Sequence, residues 1–198
     1  MLTAMAQPQV PTDEAPIETW RFTVEDVMKM VDAGVIDEDD PVELINGELL
    51  IVSPQGPEHI SLKDELRERL VEAYRQGFHV RDQGPLYADR RSLPEPDLCV
   101  LRGVPRDYLK RHPAGSDAVL VVELAKTSQK RDRAKIAVYA RAGVGTYWLL
   151  DLEARRLTVH REPDVTTEQY MQVLTLTEDR EVELPEIETR WLVASLLA

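Results

Sequence analysis

The chain has 198 residues, 43% of them hydrophobic and 30% charged, with a net charge of −12 and one cysteine, Cys99. This is a globular balance, and it excludes a disordered chain, an internal disulfide framework and a cysteine-based zinc site. No apolar run approaches the roughly 20 residues that a membrane helix needs, and Met1 to Val10 lacks the basic and apolar regions of a secretory signal, so the expected setting is a reducing cytoplasm with no membrane partner.

Residues 1–19 carry Pro8, Pro11 and Pro16 without periodicity and read as a flexible arm; residues 20–198 read as one domain. Thr23-Val24-Glu25-Asp26 reads as a helix start, with Thr23 capping, Val24, Val27, Met28 and Val31 on the apolar face, and Gly34 as the stop. Val42 to Ile45 and Glu48 to Ile51 flank Asn46-Gly47, a strong hairpin signal because both turn residues must take positive φ. After the Ser53 to Pro57 loop, Leu62, Leu66, Leu70 and Ala73 mark a long amphipathic helix, stopped by Gly77. Short strands are expected at Phe78 to Asp82 and Leu86 to Ala88. Leu98 to Leu101 and Ala118 to Val122 are continuous apolar runs, suited to strands buried on both faces. A helix over Asp132 to Ala142 and strands at Thr146 to Leu150, Leu157 to His160, Gln169 to Leu176 and Glu181 to Leu184 complete an α/β pattern. Cys99 and Trp148 fall within the apolar strands and read as core.

The acidic charge is unevenly spread. Thr12 to Glu48 holds twelve acidic and two basic residues, and Arg161 to Glu188 holds nine and two. Between Lys126 and Arg141 the balance reverses: Lys126, Lys130, Arg131, Arg133, Lys135 and Arg141 face only Asp132. A solvated helix face is the first reading of such a run judged alone; contact with phosphates is the second.

Chemistry concentrates where two strands meet. If Leu98 to Leu101 and Ala118 to Val122 pair antiparallel with Asp97 opposite Glu123, Leu101 falls opposite Val119 and the two carboxylates project from one face. Like charges so placed need a raised pKa, a basic neighbour or a divalent cation. Carboxylate oxygens suit Mg²⁺, or Mn²⁺, better than zinc, and Lys135 follows in the basic helix. A cation on two acids with an adjacent ammonium suits phosphodiester hydrolysis. Glu43 on the hairpin surface is a candidate accessory carboxylate. His59, near the start of the long helix, is either a proton shuttle or a cap or loop contact. Tyr139, four residues after Lys135, shares its face and reads as core packing. Arg102, Arg106, Lys110 and Arg111 line a loop that suits either a DNA backbone or water.

An acid at a strand start, an acid at the next strand end and then a lysine resembles the PD-(D/E)XK nuclease superfamily. The likeness is closest to its bacterial branch of restriction-endonuclease-like domains. It rests on Val42 to Leu49, Ser53-Pro54 with Gly56-Pro57-Glu58-His59, Pro96-Asp97, Val122-Glu123, Asp132-Arg133, Lys135, Tyr139 to Val144 and Tyr147-Trp148. It spans roughly residue 20 to the C-terminus. The resemblance implies a restriction-endonuclease-like core: a central mixed sheet flanked by helices, with an extra N-terminal hairpin and C-terminal strands. It also implies metal-dependent DNA cleavage, with Asp97 and Glu123 as ligands of Mg²⁺ or Mn²⁺, Lys135 as the catalytic lysine, and Lys126, Lys130, Arg131 and Arg133 on the DNA backbone. Nucleases of this design act on two strands, so a homodimer is expected, with apolar edge residues of the tail strands as its interface. The chain departs from the motif at Ala125, where the lysine usually stands, and at Gly145-Thr146, where the branch tends to have Pro-Glu. The spacing from Asp132 to Lys135 is one residue short of the branch, a turn of about 100° on a helix. A non-catalytic module on the same fold, binding nucleic acid or a protein, is the alternative reading.

Overall fold

The computed structural model describes residues 18–37, 39–125 and 129–197, with the side chains of residues 129–133 outside that description. The arm expected over residues 1–19 falls almost wholly outside the described residues.

Helix α1 (Val24–Asp32) starts as its sequence dictates. Thr23 Oγ1 accepts the Asp26 N–H at 3.2 Å, and Asp26 Oδ2 accepts the Thr23 N–H at 2.9 Å, a reciprocal capping box. Val27 is buried against Leu44 and Leu93, whereas Met28 points outward, so the apolar face is narrower than the periodicity suggests. Strands β1 (Val42–Ile45) and β2 (Glu48–Ile51) form the expected hairpin, with φ of 51° at Asn46 and 79° at Gly47.

Helix α2 (Pro57–Ala73) precedes the main sheet, in which β3 (Phe78–Asp82), β4 (Leu98–Arg102), β5 (Ala118–Ala125), β6 (Thr146–Asp151), β7 (Arg156–Asp164) and β8 (Gln169–Thr177) lie side by side in chain order. All neighbours are antiparallel except β5 and β6, which are parallel. Parallel neighbours need a crossover, and α3 (Gln129–Arg141) supplies it, starting three residues earlier than the sequence pattern places it. Strands β9 (Glu181–Glu183) and β10 (Arg190–Leu192) form a separate hairpin; the three-residue β10 carries no alternation by which a sequence reading would find it.

The expected strand at Leu86 to Ala88 does not form. Leu86 N–H donates to the Pro94 carbonyl and Tyr87 N–H to the Pro113 carbonyl. A proline can accept but not donate, so no ladder grows there. No helix among the described residues is long and apolar enough to cross a membrane.

The sheet has two apolar faces. Leu66 and Leu70 of α2 pack with Leu98, Val100, Leu120, Val122, Trp148 and Leu150 on one face. On the other, Tyr139 and Ala140 of α3 pack with Cys99, Leu101, Val121, Tyr147 and Tyr170. By alternation, Asp97 and Glu123 belong to the α3 face. Cys99 and Trp148 are core, as expected. Edge strand β8 exposes Met171, Val173 and Leu174.

His160 lies in this second core, its ring centroid 5.2 Å from that of Tyr147 and 5.5 Å from that of Tyr170. Neither ring nitrogen has a hydrogen-bond partner among the described residues, and burial pushes its pKa down to about 4. A histidine whose folded pKa lies below its ordinary 6.5 favours folding fully above 6.5 and loses that contribution as pH falls towards 4. The expected loss is about 3 kcal/mol across that window. Urea melts of wild type and His160→Phe at pH 7.5 and pH 4.5 should show it as stability that the variant gains over wild type at the lower pH, because groups that titrate in both proteins cancel in that comparison; an equal offset between the two proteins at both pH values would remove His160 as a source.

Candidate active site

Strand pairing brings the two acids together. Leu98 pairs with Val122 and Cys99 with Val121, and that register continued by one residue sets Asp97 opposite Glu123 as expected. The same register does not run to the far end. A bulge between Val100 and Leu101 puts Leu101 opposite Ala118 instead of Val119, away from the acids and without effect on them.

Lys135 reaches the site despite the short spacing. Its Nζ donates to Glu123 Oε1 at 2.9 Å and to Glu43 Oε1 at 3.0 Å, with its side chain 7% exposed. The long, flexible stem of the lysine absorbs the angular offset. Tyr139, one turn on, donates its O–H to Glu123 Oε1 at 2.7 Å, so it is both core and part of the site. Glu43 corrects a second expectation. It is not a surface residue of the hairpin but is buried, only 5% exposed, and its Oε2 has no hydrogen-bond partner among the described residues.

Asp97 is held from several sides. Its Oδ2 accepts the Leu124 N–H at 2.8 Å, and its Oδ1 accepts the Gln55 amide at 2.7 Å and lies 3.2 Å from His59 Nε2. His59 therefore contacts an acid of the site and does not cap α2, whose N-cap is Gly56. Gln55 carries no sequence signal that would have singled it out. Glu95, two residues before Asp97, also escaped the sequence reading; it is exposed, yet desolvation by its surroundings and then the charge of Glu43 raise its pKa.

The electrostatics follow from three carboxylates facing one lysine. Burial pushes Glu123 up to about 7; Lys135 opposes this, and Asp97 and Glu43 add to it. Burial works against the charge on Lys135, but Glu123 and Glu43 outweigh it and its pKa is raised. Burial would also raise Asp97, but the hydrogen bonds from His59 and the Leu124 N–H, with the charges of His59 and Lys135, hold it below its ordinary value. For Tyr139, burial and then the charge of Glu123 push the phenol well up, so it remains a donor.

This donor set fits a hard divalent cation in its chemistry: carboxylate oxygens, an excess of buried negative charge and the unpartnered Glu43 Oε2. Among the described residues, no group of three or more His, Cys, Asp or Glu side chains is already arranged to hold a metal ion; the acids close on Lys135.

Lys126 is outside the described residues, as are the side chains of Lys130, Arg131 and Arg133. Arg102 pairs with Glu186 and Arg111 with Asp117, so both are engaged within the protein.

The order of these acids, the lysine and the sheet extends over nearly the whole chain. The family described as "Uma2: Putative restriction endonuclease" matches residues 24–195. The chain belongs to this family. Its fold is shared by a solved structure described as a "putative nuclease belonging to DUF820" from Anabaena variabilis, with a TM-score of 0.67 at 18% identity, covering 89% of this chain and 97% of that one. No curated protein matches. Membership of the Uma2 family places the chain in the PD-(D/E)XK superfamily, and its central mixed sheet flanked by helices, with extra hairpins, is the restriction-endonuclease-like architecture that the sequence resemblance implied.

Proposed function

We propose that this Uma2 domain, from residue 20 to the C-terminus, is a Mg²⁺-dependent nuclease that hydrolyses phosphodiester bonds of DNA, with Mn²⁺ as an alternative cation. What supports the reading is the meeting of Lys135 Nζ with Glu123 Oε1, at 2.9 Å, on the sheet face that also carries Asp97. Asp97 and Glu123 would hold the cation, which supplies Lewis-acid polarisation of a phosphoryl oxygen when bound.

The other residues have separable tasks. Lys135 places a positive charge where negative charge develops on the scissile phosphate. Glu43 keeps its ammonium turned towards Glu123, and the Tyr139 hydroxyl fixes one Glu123 oxygen. Gln55 and His59 orient Asp97, and His59 is the nearest imidazole to hold or pass a proton. Lys126, Lys130, Arg131 and Arg133 would contact phosphates without reading bases. A homodimer belongs to the same proposal, with the exposed apolar residues of β8 as its edge.

The test is nicking of supercoiled DNA, and cleavage of single-stranded DNA, in Mg²⁺, Mn²⁺ or chelator, for wild type and Asp97→Asn. We expect metal-dependent cleavage, reduced about a hundredfold in the variant. The reduction is moderate because the substituted amide keeps one oxygen and one place in the network. Cleavage that persists in chelator, or is equal in the two proteins, would remove the metal role of Asp97.

A further inference from the structure

Arg141 stands in the last turn of α3, outside the set of residues that face the acids, and all three nitrogens of its guanidinium are nevertheless engaged. Its Nε donates to Asp89 Oδ2 at 2.8 Å and its Nη1 to Glu168 Oε2 at 2.8 Å. Its Nη2 donates to Asn46 Oδ1 at 2.8 Å and to Ser92 Oγ at 3.3 Å. Ser92 is fully buried, and the same Oγ accepts the Asn46 N–H at 3.1 Å. One side chain thus joins α3 to the β1–β2 turn, to the 89–92 loop and to the β7–β8 turn. The end of α3 is seated tightly as well: a Cβ on Gly115 would lie 2.4 Å from the Ala142 carbonyl oxygen.

An exposed ion pair contributes little to stability, typically under about 1 kcal/mol. Arg141 differs, because its side chain is 23% exposed and four partners from three separate segments share its planar fork. Its position relative to the site gives the cluster a use. Asn46 lies three strand residues beyond Glu43, about 10 Å along the chain. Arg141 lies six helical residues beyond Lys135, about 9 Å along the axis. The β1 strand and α3 are therefore fastened at two points a matching distance apart: Arg141 to Asn46 at one end, and Lys135 to Glu43 at the other.

We propose that Arg141 is a positioning residue, which holds the β1–β2 hairpin in register with α3 so that Lys135 reaches Glu43 and Glu123 together. The inference rests on the reading of Lys135 as part of the active site, but its test does not need cleavage. Lys63 provides an internal control. It is as buried as Lys135, and its Nζ pairs with Asp82 at 2.8 Å on the α2 side of the sheet.

The experiment is brief acetylation of the folded full chain with acetic anhydride, with the modification of each lysine followed by mass spectrometry. In Arg141→Gln, Lys135 should acetylate about tenfold faster than in wild type, with Lys63 unchanged. Arg141→Lys, which keeps the charge but not the fork, should give a smaller rise at Lys135 and again none at Lys63, and it serves where the glutamine variant fails to fold. An unchanged Lys135, or Lys63 rising in step with it, would overturn the inference, the first because nothing is being held and the second because the whole fold has loosened. Inactivity of the wild type towards DNA would overturn the nuclease proposal and leave this result standing; cleavage with no change at Lys135 would do the reverse.

Discussion

Glu123→Gln is expected to lower metal-dependent DNA cleavage by about a thousandfold, more than any other single change at the site. Glu123 is placed opposite Asp97, and its Oε1 accepts from both Lys135 and Tyr139. A glutamine keeps the volume and can still accept from Lys135 and Tyr139 through its amide oxygen, so near-UV circular dichroism should match wild type. What it loses is the negative charge that would bind a cation and that balances the ammonium. The check is initial nicking rates across a Mg²⁺ titration. A rate equal to wild type at every metal concentration would exclude Glu123 from the mechanism.

Lys135→Met is expected to be the most destabilising substitution at the site, by about 3–5 kcal/mol at neutral pH. Lys135 is the shared partner of Glu43 and Glu123, which are 5% and 12% exposed. Methionine fills the space but leaves two buried carboxylates facing each other. Glu123 can recover only by taking up a proton. A buried carboxyl whose folded pKa is raised, as that of Glu123 already is, favours folding fully below its ordinary 4.5 and loses that contribution as pH rises through the folded value. The deficit relative to wild type should therefore be largest at pH 8 and shrink towards pH 5. Urea denaturation at both pH values reads it; equal midpoints for variant and wild type at pH 8 would mean that the carboxylates do not depend on Lys135.

The parts of the site that were legible in the sequence are those set by local rules. Strand alternation and an unbroken apolar run place Asp97 against Glu123, and the i, i+4 spacing places Tyr139 beside Lys135. The parts that were not legible depend on contacts between distant segments. Nothing around Glu43 shows that its hairpin packs against a helix 92 residues away, so a strand residue beside a turn reads as surface. His59 meets Asp97 across 38 residues, and its place in the first turn of α2 suggests a cap. The spacing offset at Lys135 overstated the effect of helical phase, because a long, flexible side chain can still converge on the acids. The Leu86 to Ala88 segment has the composition of a strand, but the prolines opposite it accept hydrogen bonds and give none.

The depth of Trp148 has a spectroscopic bearing. Its indole is fully buried on β6, in register with Val122, the neighbour of Glu123, while Trp20 is 77% exposed and Trp191 is half-buried against Arg69. The three indoles therefore emit from three polarities. The blue component belongs to the strand beside the acids and the red one to the start of the chain, so the shape of the emission band separates loss of the central sheet from changes at the N-terminal end.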